Sequence, residues 1–142
     1  MPPQLQSMEI QAFAEGFPVT LFHAGVTLLI LALGATLYAM LTPHREIALI
    51  RDGNTAAAIS FGGVLVGLAL PLADSLRASV SPLEIALWGV ATIAVQLLVF
   101  KAIDLVLHGL PQRIQDGEIS AACMLVGAKI ASALILAAAL AG

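Results

Sequence analysis

The chain alternates long apolar stretches with short polar ones. No charged residue lies between Glu15 and Arg45, or between Asp52 and Asp74. A charge at the centre of a helix in hydrocarbon costs about 2.5–3.5 kcal/mol on insertion scales. These gaps therefore outline two membrane-spanning helices, Pro18 to Leu41 and Thr55 to Ala73. Two further stretches are apolar apart from isolated polar residues. Ile85 to Leu107 carries Gln96, Lys101 and Asp104, and Ile119 to Ala141 carries Lys129. Each stretch is close to the roughly 20 residues that cross a hydrocarbon core of about 30 Å. Strands of a membrane barrel would alternate apolar and polar residues, whereas these runs are apolar on all sides. The expected fold class is all-α, a polytopic membrane protein with four transmembrane helices.

The connections are short. In the first, Thr42 suits an N-cap, Pro43 the first helical position and Gly53 the end of a short helix, with Ile47 and Ile50 turned toward lipid or protein and Asn54 placed to cap the second span. Pro71, near the end of the second span, is expected to kink or end it. Residues 1–17 read as an N-terminal tail ahead of a transmembrane domain at 18–142. Ile10, Phe13 and Phe17 share one helical face while Glu9, Gln11 and Glu15 point elsewhere, which suits a short helix lying in the headgroup region. Residues 1–22 contain no Lys or Arg and the apolar run that follows exceeds an h-region, so no cleaved signal is expected. The first connection holds Arg45 and Arg51 and the third Arg113, with Lys101 near the same side, against Arg77 alone in the second. Basic residues favour the cytoplasmic side, so both termini are expected outside the cytoplasm.

Shifting the chain by 64 positions aligns Ile50–Ala73 with Ile114–Ala137 at ten identities in 24 positions, including the Asp-Gly turn that precedes each helix. Two spans return the chain to its starting side, so the expectation is two parallel two-helix repeats, about 18–76 and 83–142, related by an axis along the membrane normal. Small residues let helices approach closely in lipid. Gly63 and Gly67 form such a pair in the second span, and Gly127 and Ala131 repeat it in the fourth, for packing within the chain or against another copy.

Composition sharpens the picture. Of 142 residues, 60% are hydrophobic and 11% charged, and mean hydropathy is +1.00; soluble domains carry about 25% charged residues. Four spans leave no room for a sizeable aqueous catalytic domain. A net charge of -3 without a basic cluster excludes nucleic acid as an expected partner. The single cysteine, Cys123, has no second thiol to pair with and no histidine nearby, and His23, His44 and His108 are dispersed, so no metal site is expected. Neither a nucleophile–base pair nor a phosphate-cradling glycine loop is present, so neither enzymatic activity nor a cofactor is expected. Trp88 and Tyr38 fit the outer and inner interfacial belts.

Lys129 carries the most information. At about 1.5 Å per residue it lies about 15 Å into its span, where an ammonium needs a partner, a cavity or another subunit. Gln96 lies at similar depth. Asp104, the nearest carboxylate within a span, sits about 12 Å closer to the cytoplasm, and with Lys101 three residues away reads as a local snorkelling ion pair.

The segments Leu41-Thr-Pro43, Glu46-Ile-Ala-Leu-Ile-Arg-Asp-Gly-Asn54, Ala56-Ala-Ala-Ile-Ser60, Gly62-Gly63 and Trp88-Gly89 resemble the YjfL-like inner-membrane family, called domain of unknown function 350. The resemblance runs from about the first span onward. It implies a small bacterial inner-membrane protein with four spans and two similar halves, and no established activity. The last span, Ser132 to Ala139, departs from the family pattern in lacking a Gly and an Asn near its end.

The leading expectation is a non-enzymatic, bilayer-embedded subunit that assembles with copies of itself or with other membrane proteins through glycine-lined faces and Lys129. The alternative is a small oligomeric channel or transporter in which Lys129 and Gln96 line a midplane site, with Ser60 contributing from a neighbouring helix.

Overall fold

The structure, a computed structural model, describes residues 2–43, 45–78 and 81–142. The described residues form six helices: α1 (Pro3–Leu41), α2 (Glu46–Arg51), α3 (Thr55–Ala78), α4 (Pro82–Leu107), α5 (Leu110–Gln115) and α6 (Ile119–Ala141). Four of them, α1, α3, α4 and α6, are long and apolar enough to cross a membrane. The short connections turn the chain back each time, so α3 and α6 run parallel to each other and antiparallel to α1 and α4. His44, one of the three dispersed histidines, lies outside the described residues.

The centre of the bundle is α3, which packs on α1, α4 and α6 and makes its widest interface with α6. Its inward face is built of small residues, with Ala56, Ala57, Ser60, Gly63 and Gly67 all buried. A methyl group at Gly63 would lie 2.6 Å from a Val126 Cγ, so the spacing of α3 and α6 depends on a hydrogen atom there. The fourth-span pair behaves differently. Gly127 and Ala131 are exposed on the outer side of α6, and a methyl at Gly127 would meet nothing within 4 Å. Within one copy, the small residues of α6 do not repeat the packing of α3.

Two local expectations need correction and a third is narrowed. The N-terminal segment is not separate, because α1 runs unbroken from Pro3, through Pro18, to Leu41. At about 58 Å it is nearly twice the hydrocarbon thickness. Every described residue before His23 is exposed, and the Phe13 and Phe17 rings stack 5.1 Å apart on this projecting rod. Thr42 closes α1 instead of opening α2, its hydroxyl donating to the Tyr38 and Ala39 carbonyls at 3.2 Å each; Arg45 occupies the α2 N-cap. Of the two effects expected of Pro71, an end to the helix does not occur, since α3 continues to Ala78.

The two connections are built alike. Both α2 and α5 have six residues, and each ends in an Asp-Gly whose glycine takes positive φ, +85° at Gly53 and +80° at Gly117. In each, the glycine N–H reaches back to Ile50 or Ile114 at 3.0 Å, and the next N–H reaches Leu49 or Arg113 at 2.9 and 3.0 Å. This Schellman closure needs the left-handed conformation that glycine supplies without a Cβ clash. The residues after the glycines differ. Asn54 caps α3 through the Ala57 N–H at 2.9 Å and donates across to the Ile114 and Gln115 carbonyls at 3.1 and 3.0 Å, tying one connection to the other. Glu118 instead accepts from Arg113, Nε at 2.7 Å and a terminal nitrogen at 2.5 Å.

Two outcomes follow. Gly63→Ala should lower stability in detergent by about 1–3 kcal/mol through overpacking, while Gly127→Ala, with open space around it, should leave the unfolding midpoint of the monomer unchanged or slightly raised. The Arg113 hydrogen bonds hold the Glu118 carboxyl below its ordinary range, and the same bonds raise the Arg113 guanidinium. A depressed acid contributes stability that is fully present above the unfolded-state value, about 4.3 for Glu, and is lost as pH falls through the folded value. Amide exchange around the α5–α6 turn should therefore quicken as pH drops below about 4, relative to intrinsic rates. Glu118→Gln should remove that dependence.

Candidate buried polar site

In an α-helix the Cα–Cβ bonds tilt toward the N-terminus. Because α1 and α6 are antiparallel, this tilt carries Tyr38, one turn from the end of α1, deeper into the bundle. It carries Lys129, about 15 Å along α6, back toward the α2 end. The two side chains converge: the Lys129 ammonium donates to the Tyr38 hydroxyl and lies 4.2 Å from the centre of its ring. Both residues are fully buried. The interfacial placement expected for Tyr38 is thus replaced by an interior one, and Lys129 finds its partner on the first span instead of at Asp104.

The opposite charge comes from outside the spans. Glu46, the first residue of α2, is 1% exposed and accepts a hydrogen bond from Ser60 Oγ on α3 at 3.3 Å. Its carboxylate acts electrostatically on both Tyr38 and Lys129. Ion-sized charges cost several kcal/mol each to bury, so an ammonium and a carboxylate enclosed together need the compensation that mutual attraction and hydrogen bonds provide. Beside them a cavity of about 280 Å³ opens between α1 and α2, lined by Thr36, Met40, Arg45, Glu46 and Phe61 among others.

Deeper in, Gln96 of α4 joins three helices. Its Nε2 donates to the carbonyl of Lys129 at 3.3 Å and to that of Gly67 at 3.5 Å. The second contact has a local cause. Proline has no N–H, so Pro71 leaves the carbonyl four residues earlier, that of Gly67, without its helical donor, and the Gln96 amide stands in. Absence of a side chain at Gly67 is what admits it, because a methyl there would lie 2.9 Å from Nε2. Gln96 Oε1 is buried with no hydrogen-bond partner among the described residues, an acceptor left open at the depth of Lys129.

Of the residues singled out from the sequence, Lys129, Gln96 and Ser60 come together in this cluster, with Gly67 beside it. Lys101 and Asp104 do not join it. Lys101 is exposed, and Asp104 caps α5 by accepting the Leu110 N–H at 2.8 Å; among the described residues no ion pair joins the two. Tyr38 and Glu46 do not stand out as site residues in the sequence. The available signal was the demand of Lys129 itself, since Tyr38 is the only tyrosine in the chain and Glu46 the only carboxylate between the first two spans before the Asp-Gly turn. Among the described residues, no group of three or more His, Cys, Asp or Glu side chains is arranged to hold a metal ion.

Residues 12–140 match the family described as Domain of Unknown Function (DUF350). The chain is 33% identical over 117 residues to the UPF0719 inner membrane protein YjfL of Escherichia coli strain K12, covering 82% of this chain and 87% of that protein. The YjfL protein of Escherichia coli O157:H7 matches to the same extent. No solved structure matches. The chain belongs to the DUF350 family.

Removing the hydroxyl that accepts from Lys129 should be costly. Tyr38→Phe keeps the ring but withdraws a hydrogen bond to a charged group, and should lower stability in detergent by about 1.5–3 kcal/mol. Thermal unfolding of the two proteins side by side checks this; equal midpoints would mean that the pair carries no weight in the fold.

Proposed function

We propose that this member of the DUF350 family is a non-enzymatic ion-translocating unit of the inner membrane, with its polar site inside each copy. The observation that carries the proposal is the position of Lys129, enclosed within one chain together with Tyr38, Glu46 and Ser60. Ionisable residues inside spans are expensive and by default mark pathways for ions or protons. A lysine serving as a contact between copies belongs on the outside of the bundle, where this one is not. The open acceptor on Gln96 adds a second polar element at the same depth.

The architecture that goes with this is a pair of parallel two-helix repeats. Support comes from the 64-residue offset of α2 and α5, from their like-built glycine closures and from the sequence identities across the same offset. The positive-inside rule places the α2 and α5 connections, with Arg45, Arg51 and Arg113, in the cytoplasm and both termini outside.

A second reading is favoured by one observation, the outward-facing Gly127 and Ala131 of α6. Here the protein assembles with its own kind, or with other membrane proteins, through that face. The two separate cleanly. In sealed proteoliposomes, ion translocation predicts a protein-dependent flux that Lys129→Met lowers at least tenfold without changing oligomer size in detergent. Assembly through α6 predicts no wild-type flux, and a change of oligomer size when Gly127 is replaced by Leu.

A further inference from the structure

We propose that Glu46 is the port through which this site exchanges protons with water on the α2 side, and that the ion handled is the proton. The proposal deepens the preceding one and takes from it that the buried cluster handles an ion.

Three features support the choice of ion. First, the cluster contains an ammonium, which repels a metal cation, and offers only one carboxylate beside the Tyr38 and Ser60 hydroxyls. That is far short of the six or more oxygens that calcium or hydrated magnesium collects. Second, the packing around it is close. A single added methyl would lie 2.6 Å from Val126 at Gly63 and 2.9 Å from Gln96 at Gly67, so a hydrated ion cannot enter at that level without parting the helices. A proton needs no such volume, because it moves between groups already in place. Third, the groups form a graded series. Glu46 lines the cavity of about 280 Å³ together with Arg45, while Tyr38 and Lys129 are fully buried and joined by a hydrogen bond.

Among the described residues, the titratable or charged groups near Glu46 are Tyr38 from α1, Arg45 from the start of α2 and Lys129 from α6. The other packed elements supply neutral groups, Ser60 from α3 and, at the depth of Lys129, Gln96 from α4. The transfer balances. Lys129 gives a proton to the Tyr38 oxygen that accepts its hydrogen bond, and the Tyr38 hydroxyl, once its O–H turns toward Glu46, passes its own proton to the carboxylate, leaving a neutral amine, an unchanged phenol and a neutral carboxylic acid. Glu46 then releases the proton to water in the cavity as hydronium, and the reverse sequence reloads Lys129. Beyond Lys129, Leu68, Leu72 and Ile93 are buried and carry no titratable group, which favours exchange on the α2 side.

The test uses the full chain in sealed phosphatidylethanolamine–phosphatidylglycerol vesicles, treated with dicyclohexylcarbodiimide, which attacks protonated carboxyl groups in apolar surroundings. Adducts are mapped by peptide mass. The face carrying α2 is located with an impermeant maleimide on an Asp52→Cys variant in a Cys123→Ala background. The expected result is an adduct on Glu46 that diminishes as pH rises on the α2 face and is insensitive to pH on the other. In parallel, potential-driven proton uptake should fall at least tenfold in Glu46→Gln. Absence of the wild-type adduct, or its dependence on pH at the opposite face, overturns the proposal whatever the variant does. A flux of sodium or potassium that Glu46→Gln leaves intact overturns the proton assignment while the translocation reading stands. The expected adduct without flux of any ion leaves Glu46 as the proton port and overturns translocation.

Discussion

A lysine ammonium with no access to bulk water must be matched inside the protein, and much of this fold is arranged by that requirement. Lys129 sits where lipid offers no hydrogen-bond acceptor, so its acceptor has to come from another helix. The antiparallel run of α1 and α6 allows the Tyr38 hydroxyl to meet it, and the bonds from Thr42 to the last carbonyls of α1 hold the turn that carries Tyr38. The counter-charge, Glu46, opens α2 directly after that turn. A connection that would otherwise only join two spans thus becomes part of the interior.

The same economy governs the uncharged part of the core. Without a hydrophobic drive between helices in lipid, α3 is held by close approach and by hydrogen bonds. Gly63 provides the first, against Val126. Pro71 and Gly67 together create the need and the space for the second, since the proline frees a carbonyl and the glycine exposes it to Gln96. That amide also reaches α6, so one side chain fixes the relative height of three helices. A flipped amide would set Oε1 against two carbonyls, and this determines which way it points.

The four spans, their order and the all-helical class are legible in the sequence because the cost of charge in hydrocarbon is large compared with helix propensities. The Asp-Gly closures and the Asn54 cap are legible because they depend on local chemistry. The extent of α1 is not, since continuity across Pro18 depends on whether a proline is tolerated in a rod whose freed carbonyl faces solvent, which no local rule decides. The polar site was half legible. Lys129, Gln96 and Ser60 stand out as polar residues in apolar runs, whereas Tyr38 reads equally well as an interfacial aromatic, and Glu46 as a solvated residue of a connection. Their burial is a tertiary outcome, set by how α2 folds back under α3. Gly127 and Ala131 mimic Gly63 and Gly67 in spacing, but spacing does not say which face of a helix meets a neighbour.

Positions 64 residues apart, which match around the two Asp-Gly closures, differ at the residues of the site. Under that offset Lys129 corresponds to Leu65, Glu46 to Leu110, Tyr38 to Ala102, Ser60 to Met124 and Gln96 to Ala32. Each polar residue of one half thus corresponds to an apolar residue in the other. The first half contributes the carboxylate and the hydroxyls; the second contributes the ammonium and the amide. Residues 96–142 alone would leave the Lys129 ammonium without the Tyr38 hydroxyl that accepts from it. The Asn54 bonds to the Ile114 and Gln115 carbonyls set the height at which the halves meet. A slip of one helical turn, about 5.4 Å, would separate Lys129 from Tyr38, so the charge pairing selects a single register from the several that small-residue packing alone would tolerate.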